Sequence, residues 1–269
     1  MTAILVAGSL AVLPAMAQED ELREVAPPLP VEEIIGQFAA KEAEFARARE
    51  NYTYRQDVTV QELDGSDRVR GEYRMVSDIL FEETGRRTER IVYAPVNTLD
   101  RIQLTPQDLE DIRSIQPFVL TTTEVDLYDI EYAGKQQIDE IDCYVFDISP
   151  KEIEDGERYF EGRLWVDDLD LQIVKTYGKA VPDLVKDGQE NLFPRFETYR
   201  QQIDDFWFPT YTRAVDTLNF RSGPVRIRQV IRYEDYKQFG ADVTFSVIDE
   251  VEDEPDADAE GEPPGSGEN

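Results

Sequence analysis

Residues 51–63 read NYTYRQDVTVQEL, and their alternation decides the fold class. Tyr52, Tyr54, Val58 and Val60 fall on one side of an extended chain, with Thr53, Arg55, Asp57 and Thr59 on the other. That is the period of a half-buried strand. Asp64-Gly65 then marks a turn. In GEYRMVSDILF (71–81), Tyr73, Met75, Ile79 and Phe81 share a side, and Thr84-Gly85 turns the chain into RRTERIVYAPV. The pattern is a β-meander.

Upstream, the period is 3.6 rather than 2. Over Val31–Arg49 the residues Val31, Ile34, Ile35, Phe38, Ala39, Glu42 and Phe45 have helical spacing, and the apolar ones form one stripe. Such a helix must pack its stripe on something. Downstream, Thr105-Pro106 opens a second, shorter helix, about Pro106–Ile115, with Thr105 as N-cap, Pro106 at the first helical position and Asp108 two residues on. Further strands are expected near Tyr128–Tyr132, Ile138–Ser149, Glu157–Val166, Gln172–Gly178, Phe193–Gln202, Trp207–Val215 and Val225–Tyr236. Asp155-Gly156, Asp167–Asp170, Asp187-Gly188, Asp204-Asp205 and Ser222-Gly223 supply short turns, so neighbours run antiparallel. The expected class is α+β, with one large antiparallel sheet. A sheet of about ten strands curls, here into an open or closed barrel whose concave side the two helices can cover.

Both ends read differently. Residues 1–17, MTAILVAGSLAVLPAMA, form an apolar run ending in Ala15-Met16-Ala17, as in a secretory signal cleaved after Ala17; the alternative is an uncleaved anchor. No cysteine stands at that cleavage point for lipidation, and no later stretch reaches transmembrane length. Residues 18–30 are a linker stiffened by Pro27, Pro28 and Pro30. Residues 249–269 carry ten acids, no base and no aromatic residue, so little apolar burial offsets chain entropy there. They read as a disordered acidic tail around a folded domain at 31–248.

Composition excludes several functions. The 269 residues contain no histidine and one cysteine, Cys143, which rules out a Ser-His-Asp triad, a Cys-His dyad, a disulfide within the chain and a Cys cluster for zinc. With 58 acids against 28 bases the net charge is −30, which argues against nucleic acid. Residues 51–248 still hold 39 acids and 24 bases. No phosphate-binding glycine loop or nucleophile elbow occurs. Asp167, Asp168 and Asp170 could suggest calcium or glycosidase chemistry, but acids at that spacing also make a tight turn between strands. Cys143 falls on the face of its strand opposite Tyr144 and Phe146, as a small filler. Arg226, Arg228 and Arg232 form a basic stripe, suited to lipid phosphate or an acidic partner, or to cross-strand pairing with nearby acids.

The aromatic load is the most informative feature, with 13 Tyr, 13 Phe and 2 Trp. Aromatic residues fill sheet–helix cores. Some could instead line a cavity that takes an alkyl chain, and the candidates are Phe38, Tyr54, Tyr73, Phe81, Phe146, Trp165, Phe196, Phe208 and Tyr211.

Two segments carry a family resemblance. GRLWVDDLDLQIVKTYGK (162–179) resembles the segment of LolA-like outer-membrane lipoprotein-sorting proteins in which a strand ending Trp-Val/Ile-Asp meets a turn and a second strand ends in Val-Lys. QIDDFWFPTYTRA (202–214), with an aromatic-Pro pair entering the sheet, resembles a later strand of that family. The layout matches over roughly 31–238, although TPQDLEDIRSIQPFVLTTTEVD (105–126) and the acidic tail depart from a minimal carrier. The resemblance implies a helix-lidded half-barrel in the periplasm, with a hydrophobic cavity for lipoprotein acyl chains, no cofactor and no catalysis. Related proteins of that fold sense envelope stress, so the alternative is a regulatory or scaffolding protein that binds an envelope protein partner.

Overall fold

The computed structural model describes residues 21–82, 84–186 and 189–239. The expected signal segment, the acidic tail and the Asp187-Gly188 turn lie outside the described residues. Helix α1 (Val31–Ala48) begins after Pro30, with Glu32 and Glu33 in its positive first turn and Arg47 in its last. A 3₁₀ turn (Arg49–Asn51) leads into β1 (Tyr52–Leu63), β2 (Val69–Phe81) and β3 (Arg87–Tyr93). Helix α2 (Pro106–Ser114) follows. The Thr105 side chain accepts the Asp108 amide and the Asp108 carboxylate accepts the Thr105 amide, a closed capping box. The rest is strand: β4 (Tyr128–Ile138), β5 (Ile141–Pro150), β6 (Tyr159–Asp167), β7 (Ile173–Val181), β8 (Leu184–Lys186), β9 (Gln189–Asn191), β10 (Phe196–Ile203), β11 (Phe206–Phe220) and β12 (Gly223–Gln238).

Ten of these strands form one antiparallel sheet in the order β3-β2-β1-β12-β11-β10-β7-β6-β5-β4, and β8 and β9 make a separate hairpin. The last strand pairs with the first, with Val58 opposite Ile231. Two meanders, β1–β3 and β4–β12, are thereby joined along that seam. The sheet is not closed, because its edges β3 and β4 do not pair. Part of the expected linker runs along one edge: Arg23 and Lys135 exchange backbone hydrogen bonds, and the Tyr132 hydroxyl donates to the Val25 carbonyl. Gly134 permits this approach, since a Cβ there would stand 2.4 Å from the Arg23 oxygen. Covering a sheet edge in this way removes a site for unwanted pairing.

The main correction to the expected strands concerns β4 and β5. The expected break between Tyr132 and Ile138 is absent, and a hairpin turns at Asp139-Glu140 instead. Asp139 takes φ 52°, a left-handed turn position that Asp tolerates without glycine, so no glycine signal marks the reversal. The Asp167–Asp170 segment is a turn: the Asp167 carboxylate accepts the Leu169 and Asp170 amides at 2.7 and 3.3 Å.

One apolar cluster gathers Ile34, Phe38 and Ala39 of α1 with Val58, Phe146, Phe160, Leu164, Ile173, Phe196 and Ile231 of the sheet. Glu42 shares that helix stripe, and the fold accommodates its charge. Its oxygens accept Arg200 Nη1 at 3.0 and 3.1 Å, Arg200 Nη2 at 3.1 Å and the Ile173 amide at 3.1 Å. Both side chains are almost wholly buried, and Arg200 also donates to the Phe118 carbonyl. A buried carboxylate with this many donors is tolerable where a lone one is not.

Candidate functional site

The nine aromatic candidates do not converge on one cavity. Phe38, Phe146 and Phe196 are solid core. Phe38 packs on Phe146 at 5.4 Å between ring centres, and Phe196 packs on Phe160 and Phe193. Tyr73 is half-buried against the same cluster, its hydroxyl 3.4 Å from the Met75 sulfur. Tyr54, Phe81 and Phe208 line a cavity of about 720 Å³ beside the end of α1. Trp165 and Tyr211 lie on the opposite face of the sheet. Leu164 and Val166 point into the main cluster, so Trp165 between them points away and joins Cys143, Val145, Val174 and Trp207, as strand alternation requires. Tyr211, next to the inward Thr212, faces Tyr199 at 6.5 Å.

Two cavities flank α2, and they differ in chemistry. The larger is lined by Arg49, Arg87 and Arg113 together with Glu50, Glu89, Glu110 and Glu124, so despite its aromatic members it is a charged cleft. Arg113 Nη2 donates to Glu89 at 3.0 Å across it.

The second cavity, of about 440 Å³, lies between the segment Arg101–Asp108, the residues 192–194 and the β11–β12 hairpin. Its buried lining is Val60, Ile112, Phe193, Leu218 and Ile227 with the polar Gln229, and half-buried Ile102, Leu104 and Leu192 also line it. Arg101, Arg221 and Ser222 stand at the exposed rim. The volume lies within the range of small-molecule pockets, and the apolar wall with a few polar groups is their usual make-up.

Local sequence explains this arrangement. The buried carboxylate of Glu62 accepts the backbone amides of Asp100, Arg101 and Ile102, at 3.1, 2.7 and 2.8 Å through Oε1. That three-amide grip holds a loop over the sheet end, where Leu218, Val225 and Ile227 form a small cluster of their own. Among the described residues Asp108 is the one carboxylate in the lining. Its Oδ2 accepts the Thr105 amide at 2.6 Å and hydroxyl at 2.8 Å, and burial raises its pKa against those bonds.

The sequence reading missed this cavity because its wall comes from aliphatic residues far apart in the chain, not from the conspicuous aromatic strings. Phe193 and Phe220 are the aromatic residues of its lining, and neither is among the nine candidates. Among the described residues no cluster of His, Cys, Asp or Glu is placed to hold a metal ion, and no helix is long and apolar enough to cross a membrane.

Solved structures resemble the chain loosely. A DUF1329 family protein from Desulfovibrio piger is 14% identical, with a TM-score of 0.40 over 80% of this chain and 95% of its own. A putative outer membrane lipoprotein-sorting protein domain from Vibrio parahaemolyticus is 10% identical, with a TM-score of 0.35 over 78% and 95%. The MucA/MucB complex of Pseudomonas aeruginosa contains a chain 11% identical, with a TM-score of 0.22 over 76% and 99%. The lipoprotein-sorting family that residues 162–179 and 202–214 resemble is thus among the structural matches. No family model matches the chain, and no curated protein matches it.

Proposed function

We propose that the protein is a periplasmic binding or carrier protein that holds the acyl chain of a lipid or lipoprotein, without catalysis. The observation that carries this reading is the cavity of about 440 Å³ at one end of the core, walled in large part by Val60, Ile112, Phe193, Leu218 and Ile227. Burying hydrocarbon there contributes ~0.8 kcal/mol per CH₂, so a dozen carbons supply on the order of 9 kcal/mol before the costs of binding. In this reading the signal peptide is removed after Ala17, residues 18–30 lead into a binding domain at 31–248, and an acidic tail follows. The ten strands curl around α1 as a half-open barrel. In support, one apolar cluster collects side chains from β1, β5, β6, β7, β10 and β12 under that helix.

The test is displacement of a fluorescent fatty acid from the mature protein, together with native mass spectrometry of protein isolated from its own envelope. Bound lipid and competitive displacement are expected. Protein that comes out empty and takes up no probe would end the carrier reading.

A second reading, an envelope scaffold that binds a protein partner, has its own support. The edge strand β3 and the segment after it expose Ile91, Val92, Tyr93 and Val96, the last at 87% exposure. An unpaired apolar edge is a surface to which extended chains add. Recovery of a defined partner whose binding ignores added lipid would favour this role.

A further inference from the structure

The carrier reading specifies hydrocarbon but says nothing of the head group, and the mouth of the cavity does. The Arg101 amide is the middle one of the three gripped by Glu62, so its backbone is held in place. Its guanidinium leans across the opening: Nη2 lies 3.7 Å from where a Cβ on Gly223 would stand, in the β11–β12 turn. Among the described residues it forms no ion pair, and Arg221 and Ser222 of the same turn share the rim. The opposing carboxylate, Asp108, is engaged by Thr105. Charged donors therefore stand at the exposed end, and Val60, Ile112 and Phe193 at the buried end, where the buried amide of Gln229 is hydrogen-bonded to Gln116.

Resting on the carrier reading, we infer that this cavity takes an anionic amphiphile, with its carboxylate or phosphate head on Arg101 beside the β11–β12 turn and its chain against Ile112 and Phe193. A guanidinium recognises either head by charge-assisted hydrogen bonds, and the apolar wall below recognises neither. Glu62 acts as a positioning residue: it holds the loop and does not touch the head.

Calorimetric titration of the mature protein with laurate, dodecyl phosphate, methyl laurate and inorganic phosphate tests this. Laurate and dodecyl phosphate are expected to bind about tenfold or more tightly than methyl laurate. Arg101→Gln is expected to erase that advantage while leaving methyl laurate unchanged, and raised salt should shrink it. Because Arg101 is exposed at the rim, the variant keeps the fold, which the unchanged methyl laurate binding itself reports. Methyl laurate binding as tightly as laurate, or an advantage that survives Arg101→Gln, would overturn the head-group assignment and leave the carrier reading standing. Inorganic phosphate binding as tightly as dodecyl phosphate would make the mouth a site for free anions and would also overturn it. If no chain-bearing probe binds at all, the carrier reading itself fails.

Discussion

Glu42 was legible in the sequence as an acid on an apolar helix stripe, but its partner was not. Arg200 stands 158 residues away, and only the folded sheet brings the two together. Removing one member of such a pair strands the other without compensation. Glu42→Ala should therefore lower stability by about 3–5 kcal/mol in denaturant titration, while a Glu42→Leu/Arg200→Met double variant should recover most of the loss. Cys143 reads the same way in sequence and in structure, as a buried filler beside Val145. Burial, reinforced by Asp167 and Asp168, pushes its thiol up to about 12. It should ignore thiol reagents at pH 8 and react once unfolded. Burial also raises Tyr128 to about 12. A folded pKa above the unfolded one means that the unfolded chain loses its proton first. The contribution of these two groups is thus complete below pH about 9 and is lost as the pH rises toward 12, so the denaturation midpoint should fall across that window.

The two helices looked alike in the sequence, both amphipathic and both suited to cover a sheet. Their anchoring separates them. α1 buries Ile34, Phe38, Ala39, Glu42 and Phe45, and is tied to β10 and to the start of β7 through Glu42. α2 has nine residues, and its buried side chains are Asp108, Asp111 and Ile112. It is tied by ions, with Arg158 Nη2 2.6 Å from Asp111 and Arg113 paired with Glu89. It also forms the wall between the two cavities, giving Asp108 and Ile112 to one and Glu110 and Arg113 to the other. Elements with little apolar burial open locally at lower cost. Amide exchange should accordingly be faster in α2 and in residues 96–104 than in α1, β1 and β12. Equal protection throughout would show that α2 is a fixed wall rather than the one that yields to cargo. The strand hairpins were mostly legible from Asp-Gly and Asp-Asp turns. The reversal at Asp139-Glu140 was not: like Asp204-Asp205 it uses a left-handed aspartate, but it carries neither the glycine nor the paired aspartates that mark the other turns.

Across the molecule, the centre of the sheet–helix sandwich is filled by Phe38, Phe118, Phe146, Phe160 and Phe196, and one cavity lies on each side of α2. Of these, the cavity by the β11–β12 hairpin is the greasy one. Filling it should therefore block uptake without unfolding the protein. Leu104→Trp, at a half-buried wall position, is expected to cut fluorescent fatty-acid binding severalfold with little change in the thermal midpoint. An equivalent substitution at Phe81, in the charged cleft, should leave uptake intact. The reverse pattern in a displacement assay would move the site to the other side of α2.

The sequence alone determined the meander, the two helices with their faces and most of the turns, because each depends on periodicity and turn chemistry within a dozen residues. It also excluded histidine chemistry, disulfides and a nucleic-acid footprint by simple counting. Which aromatic side chains plug the core, which face of the sheet Trp165 and Tyr211 occupy, and where space is left over were decided only by the tertiary structure. A cavity is a difference between the volume the backbone encloses and the volume the side chains fill. Here that difference is set by Val60, Ile112, Phe193 and Leu218, residues that meet only after the last strand has paired with the first.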